Sequence, residues 1–100
     1  MLLIRDLMFC KPGKVRPMVE KFKAMKKLGE KQGMGSMRIL TDLSAERYWT
    51  VISEIEVASL EAFMAMGQPG SEEATEMERI MSDYHDLVES GRREIYTIEG

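Results

Sequence analysis

Leu2-Leu3-Ile4-Arg5-Asp6-Leu7-Met8-Phe9-Cys10 is apolar on both of its alternations, with Leu3, Leu7 and Phe9 on one and Leu2, Ile4, Met8 and Cys10 on the other. Successive side chains of a strand point to opposite faces, so a strand of this pattern must be covered on both sides. Read as a strand, the stretch decides the fold, because every other element has to supply cover for one side or the other.

Working outward, Lys11-Pro12-Gly13-Lys14 is a turn by its Pro-Gly pair. From Val15 to about Lys31 the spacing predicts a helix, whose stripe of Val15, Met18, Phe22, Met25 and Gly29 is widened by Val19 and Leu28. Pro17 fits because it falls in the first turn, where its missing N–H is not needed. Met34 to Asp42 predicts a second strand, with Met37, Ile39 and Thr41 alternating against Ser36, Arg38 and Leu40. Leu43-Ser44-Ala45-Glu46 is a short connection. Arg47 to Val57 is the strongest strand by β-branched and aromatic content. Trp49, Val51, Ile55 and Val57 form its more apolar face, and Tyr48, Thr50, Ile52, Glu54 and Glu56 the mixed one. Ser59 to Met66 reads as a short helix with Ser59 as N-cap, broken by Gly67-Gln68-Pro69-Gly70. Ser71 then caps a longer helix whose stripe of Ala74, Met77, Ile80, Met81, Tyr84, Leu87 and Val88 runs on until Gly91 ends it. Arg92 to Glu99 is the last strand.

The order β-α-β-β-α-β predicts an α+β, ferredoxin-like fold with a four-stranded antiparallel sheet and both helices on one face. One hundred residues make a single domain, 1–100. Two helices roof one face only. Leaving three or four apolar side chains of the other face wet forfeits on the order of several kcal/mol at ~25 cal/mol per Å², comparable to the whole stability of a small domain. The economical remedy is a second copy packed sheet to sheet about a two-fold axis, so a homodimer is expected.

Composition narrows the function classes. Apolar residues are 44% and charged residues 31%, the balance of a globular chain and not of a disordered one. No apolar run reaches the roughly 18 residues of a membrane span, and the N-terminus lacks the pattern of a signal peptide. A lone cysteine, Cys10, forms no internal disulfide, so the cytoplasm is the expected compartment. Net charge is −3 but unevenly spread: residues 11–31 hold eight cations against Glu20 and Glu30, and residues 42–89 hold twelve acids against Arg47 and Arg79. The plain reading is two solvated helix faces of opposite sign. A nucleic-acid or anionic-lipid surface is the sharper one, and the acidic total with no Arg/aromatic interleaving speaks against nucleic acid. Attraction between the two segments, within one chain or between copies, is the third.

Lys11-Pro12-Gly13-Lys14-Val15 after the first strand, Trp49 in the third, and Gly91-Arg92-Arg93-Glu94-Ile95-Tyr96 opening the last resemble NIPSNAP-type proteins. These belong to the dimeric α/β-barrel superfamily, with stress-responsive barrel proteins and cofactor-independent, antibiotic-biosynthesis-type monooxygenases. The resemblance implies two sheets forming a barrel across a dimer and, in each subunit, a pocket between sheet and helices. Where the family often carries Glu and Arg on the first strand, this chain has Ile4, Arg5, Asp6 and Met8.

His85, the only histidine, stands about one helical step past Met81 at the edge of the apolar stripe. It is either a boundary residue bonded to water and backbone, or a pocket-lining acid/base or haem ligand, since its pKa permits titration near neutrality. Some haem-degrading members of the superfamily pair a helix histidine with a nearby Asn and Trp; this chain contains no Asn, and no cofactor is expected. No metal site is expected either, because His85 with Asp86 or Glu89 falls short of a dedicated ligand set. Trp49 is either core or a ligand platform. Tyr48 and Tyr96 offer a phenol to a bound aromatic or carboxylate, or are structural. Arg5 with a third-strand glutamate, Glu54 or Glu56, is either an ion pair inside the barrel or a solvated rim pair, and Arg5 and Glu54 are also candidate ligand contacts. Tyr84 completes the ligand-facing set. Cys10 beside Lys11 reads as a small buried hydrophobe before it reads as a nucleophile. Ten methionines suit either a pliable core or an adaptable greasy pocket. Met64 and Met66, beside the 67–70 break, would then form a lip over it.

The function expected from these residues is a small homodimer that binds an apolar or aromatic small molecule; the resemblance implies that it acts on it as a cofactor-independent monooxygenase-like or isomerase-like enzyme. His85 is its candidate catalytic group. The alternative is a non-catalytic NIPSNAP-like interaction or stress-response module.

Overall fold

The computed structural model describes residues 1–31, 36–65 and 72–100, the side chain of Glu73 excepted. Along the chain run β1 (Leu2–Cys10), α1 (Val15–Lys31), β2 (Met37–Thr41), β3 (Thr50–Val57), α2 (Leu60–Ala65), α3 (Glu72–Ile80), α4 (Tyr84–Leu87) and β4 (Val88–Thr97). The strands form one four-stranded sheet in the order β2-β3-β1-β4, with every neighbouring pair antiparallel. This is the ferredoxin-like α+β arrangement, and within one chain the sheet is open.

Register decides which face each residue occupies. Ile4 stands opposite Ile55 and Ile95, Asp6 opposite Ser53 and Arg93, and Met8 opposite Val51 and Gly91. These rows face the helices. The core there joins Met8, Cys10 and Val51 to Met18, Val19 and Phe22 of α1 and to Leu87 of α4, all buried. Leu3, Arg5, Leu7 and Phe9 point to the other face, as the two alternations of β1 require.

The last helix departs from its predicted course. Its stripe suggested one helix to Gly91, but α3 ends at Ile80, residues 81–83 turn, α4 is a single turn, and β4 begins at Val88. Lys21 of α1 supplies the reason. Its ammonium donates to the Ile80 carbonyl at the end of α3 and to the Asp83 carboxylate just beyond it. A cation at a helix C-terminus satisfies carbonyls that would otherwise lack donors. Gly91 is therefore a strand residue. A Cβ there would lie 2.8 Å from the Leu7 carbonyl oxygen, so a side chain is excluded by the close approach of β1.

The third strand starts three residues later than predicted. Arg47, Tyr48 and Trp49 lie in the loop before it, with Trp49 in the left-handed region at φ 62°. Asp42 Oδ1 accepts the Thr50 N–H at 2.8 Å, the Thr50 hydroxyl donates to the Arg47 carbonyl at 2.9 Å, and the Cys10 N–H donates to the Trp49 carbonyl at 2.8 Å. These bonds tie the loop to itself and to the end of β1 in place of a continued ladder. Of the shorter expectations, Ser59 does cap α2, its hydroxyl accepting the Ala62 N–H at 3.1 Å. The break at 67–70, Ser71 as a cap, the start of the second strand at Met34, and Met66 lie outside the described residues. Met64, expected as a lip residue over a pocket, is 78% exposed and lines the cavity between sheet and helices.

Candidate functional site

Between the sheet and the helices lies a cavity of about 340 Å³. β1 and β3 supply its floor through Ile4 and Ile55, α1 its wall through Phe22 and Met25, and α2 and α3 its far side through Phe63 and Met77. The amphipathic stripe of α1 supplies Phe22, Met25 and Gly29 to this lining, since the turns that bury Met18 and Phe22 aim Met25 at the same layer. The polar lining is Asp6, Ser53, Lys26 and Arg93. Asp6 and Arg93 stand directly opposite in the β1–β4 ladder. Arg93 Nε donates to Asp6 Oδ1 at 2.6 Å and Nη2 to Oδ2 at 3.2 Å, and its Cζ lies 4.9 Å from the centre of the Phe63 ring. The bidentate bond to Asp6 comes first among the causes that hold the Arg93 guanidinium's pKa above its ordinary value.

A second, more open cleft of about 650 Å³ adjoins it, sharing Asp6, Phe22, Met25 and Arg93 and extending past Tyr84 and His85. Tyr84 and His85 meet edge to face with ring centroids 5.3 Å apart. Burial pushes the Tyr84 phenol up from its ordinary pKa. His85 itself is exposed on α4.

The other face of the sheet carries a charged ladder. Arg38, Glu54, Arg5 and Glu94 stand in one row across β2, β3, β1 and β4, alternating in sign. Arg5 Nε donates to Glu54 at 2.7 Å, Arg38 donates to the other Glu54 oxygen, and Arg5 lies 3.9 Å from Glu94. Tyr96 Oη donates to Glu94 at 2.8 Å, and Arg5 sits 5.3 Å from the Tyr96 ring centre. Glu54 is 5% exposed even in the single chain. Its burial alone would raise its pKa, but the hydrogen bonds from Arg38 and Arg5 outweigh burial and hold it below the ordinary carboxylate value. Leu40, Ile52, Leu7 and Arg92 make the adjacent row, so three apolar side chains lie beside the ladder and Arg92 joins it through Glu94.

The structure thus separates the residues singled out from the sequence. Arg5 and Glu54 are brought together, on the open face. Tyr84 and His85 are neighbours in the outer cleft. Tyr48, 83% exposed, and Trp49, 44% exposed, lie on the loop before β3 and line neither hollow. Trp49 therefore does not continue the row of Val51, Ile55 and Val57. Cys10 is buried, and burial raises its thiol pKa, the opposite of what a nucleophile needs. Sequence reasoning missed Asp6, Arg93, Lys26 and Phe63 as cavity residues, and Arg38 and Glu94 as rungs of the ladder. For Asp6, Arg93, Arg38 and Glu94 the signal was a charge within a strand, which becomes informative once register is known; Lys26 and Phe63 lie on helices and carried no such signal. Among the described residues no group of three or more His, Cys, Asp and Glu side chains could hold a metal, and no helix is long and apolar enough to cross a membrane.

No family model and no curated protein matches the sequence. Solved structures do match. An uncharacterized NIPSNAP-domain protein from Burkholderia xenovorans superposes with a TM-score of 0.77 at 13% identity, over 100% of this chain and 96% of that one. A NIPSNAP family protein from Agrobacterium tumefaciens gives 0.67 at 15% identity, over 96% and 90% of the two chains. An antibiotic biosynthesis monooxygenase gives 0.67 at 13% identity, over the full length of both. In strand order, helix placement and extent, the chain has the fold of the NIPSNAP-domain proteins and of antibiotic biosynthesis monooxygenases.

Proposed function

We propose that the protein is a homodimeric binder of a small apolar or aromatic molecule, held in the cavity between sheet and helices. The observation that carries this reading is the cavity itself. Its roughly 340 Å³ lies within the range of small-molecule sites, and its wall is built from Ile, Met and Phe with a few convergent polar groups. A core packed to ordinary density leaves few voids larger than a water molecule. The methionines among the lining give the wall pliability.

The dimer is supported by the open face. Leu3, Leu7 and Phe9 emerge there beside Ile52 and Leu40, an apolar surface interrupted by a charge ladder whose members already satisfy one another. A copy laid over it would cover the apolar rows while the ladder charges keep their partners within the chain. The working compartment in this reading is the cytoplasm, where a lone thiol is ordinary, and the binding step needs no cofactor.

Titration with N-phenyl-1-naphthylamine, a neutral apolar fluorophore, tests the cavity. One saturable site per chain is expected, and Met25→Trp, which fills the space from α1, is expected to remove it while circular dichroism stays native. An absence of saturable binding to the unaltered protein overturns the proposal. Sedimentation equilibrium is expected to give twice the 11.5 kDa chain mass, and Leu7→Glu to halve it; a dilute monomer refutes the dimer.

The second reading is a monooxygenase-like enzyme, favoured by the fold shared with an antibiotic biosynthesis monooxygenase. His85 and Tyr84 in the adjoining cleft would be its groups. Oxygen uptake on adding a bound aromatic, abolished by His85→Ala, would select it over binding alone.

A further inference from the structure

The two polar elements at the inner cavity are unequal in charge. Asp6 is committed: both its oxygens accept from Arg93, at 2.6 and 3.2 Å. A guanidinium has five N–H donors in a planar fork, so Arg93 still presents the Nη1 edge, and among the described residues no other acceptor takes it. Phe63, with Arg93 Cζ 4.9 Å from its ring centre, flanks the fork and limits how it can turn. Lys26 of α1 lines the same cavity and has no ion-pair partner among the described residues. Two cations and one satisfied carboxylate leave the site a net positive charge, against walls that are otherwise Ile, Met and Phe.

From this we infer that the ligand is a small amphipath with one anionic head, a carboxylate by preference, and a tail of roughly ten carbons. The inference rests on the cavity reading above and adds the chemistry of its occupant. Arg93 is half exposed, so the head lies at the mouth, where a planar carboxylate meets the free edge of the planar guanidinium and Lys26 closes on it as a point charge. The tail runs inward between Ile4 and Ile55 on the sheet and Met25 and Phe22 on α1. Length follows from volume: at ~30 Å³ for each water-sized group, 340 Å³ takes about ten. A neutral head would leave the Arg93 edge and the Lys26 ammonium unmatched, and a cationic head would be repelled by both.

Displacement of N-phenyl-1-naphthylamine by decanoate, decanol and decylamine, all below their micelle-forming concentrations, tests this. Decanoate is expected to compete about tenfold or more better than decanol, as for a charge-assisted hydrogen bond, and decylamine worst. In Arg93→Met the ratio of decanoate to decanol is expected to fall close to one. Lys26→Met, which leaves the Asp6–Arg93 pair intact, is expected to reduce the ratio by a smaller factor, and carries the test if Arg93→Met proves unfolded. Equal competition by decanoate and decanol overturns the anionic head and leaves the cavity reading standing. A probe that binds but is displaced by none of the three overturns the ten-carbon tail. A probe that does not bind at all overturns the cavity reading itself.

Discussion

The two faces of the sheet are cut from the same four strands and solve opposite problems. On the helix side, Ile4, Met8 and Val51 are buried under Met18, Val19 and Phe22, and one ion pair, Asp6–Arg93, stands at a cavity edge. On the open side, alternate residues of the same strands form a row of four charges, Arg38–Glu54–Arg5–Glu94, between apolar neighbours. The first face is held by dispersion and exclusion of water, which are non-directional and tolerate a hollow at one end. The second is held by hydrogen bonds and ion pairs of fixed geometry, which tie all four strands together in register. The comparison teaches that one strand of mixed character can line a core on one side and carry charges on the other, provided those charges find cross-strand partners.

The contrast predicts a graded series of effects. Met18 is fully buried, so Met18→Ala should be the most damaging change, costing about 3 kcal/mol in chemical denaturation. On the open face, Glu54→Ala leaves Arg5 and Arg38 without their shared acceptor. A loss of about 2 kcal/mol is expected, below the figure for a fully buried pair because both arginines reach solvent. An effect as large as that of Met18→Ala would show the two faces to be equivalent, and would break the comparison.

Acid should act first on the open face. The Glu54 pKa is held below its ordinary value near 4.5, so its stabilising contribution is complete above that pH and is lost as pH falls through the lowered folded-state value. Glu94, held down chiefly by the Tyr96 hydroxyl, behaves alike. Stability measured from pH 7 downward should therefore drop below about pH 4.5, and Glu54→Gln should flatten that drop. On the covered face, Asp6→Asn is expected to cost about 1 kcal/mol or less, since the pair is partly solvated. Smallest of all, His85→Ala at an exposed position should change stability by less than about 0.5 kcal/mol.

Much of this was legible in the residues themselves. The alternations of β1 and the later part of β3 gave the correct faces, because period two is a local property of the strand. The stripe of α1 and the Ser59 cap were readable for the same reason. The stop of α3 at Ile80 was not, because its cause is Lys21, which is remote in sequence and reaches the helix end only in the folded chain. Nor was the late start of β3, where Asp42 and the end of β1 take the hydrogen bonds that a longer strand would have used. Trp49 fitted the alternation it was assigned to, yet its backbone lies in the left-handed region and takes it out of the row.

What the chain alone determined was which strand side chains share a face and that one helical roof could not cover both, since alternation and helical period are written residue by residue. Which charges meet was decided by register: Asp6 with Arg93 beside the cavity, Arg5 with Glu54 and Arg38 on the far side. Register is a relation between strands far apart in sequence, and a shift of one residue would have sent every one of those groups to the opposite face.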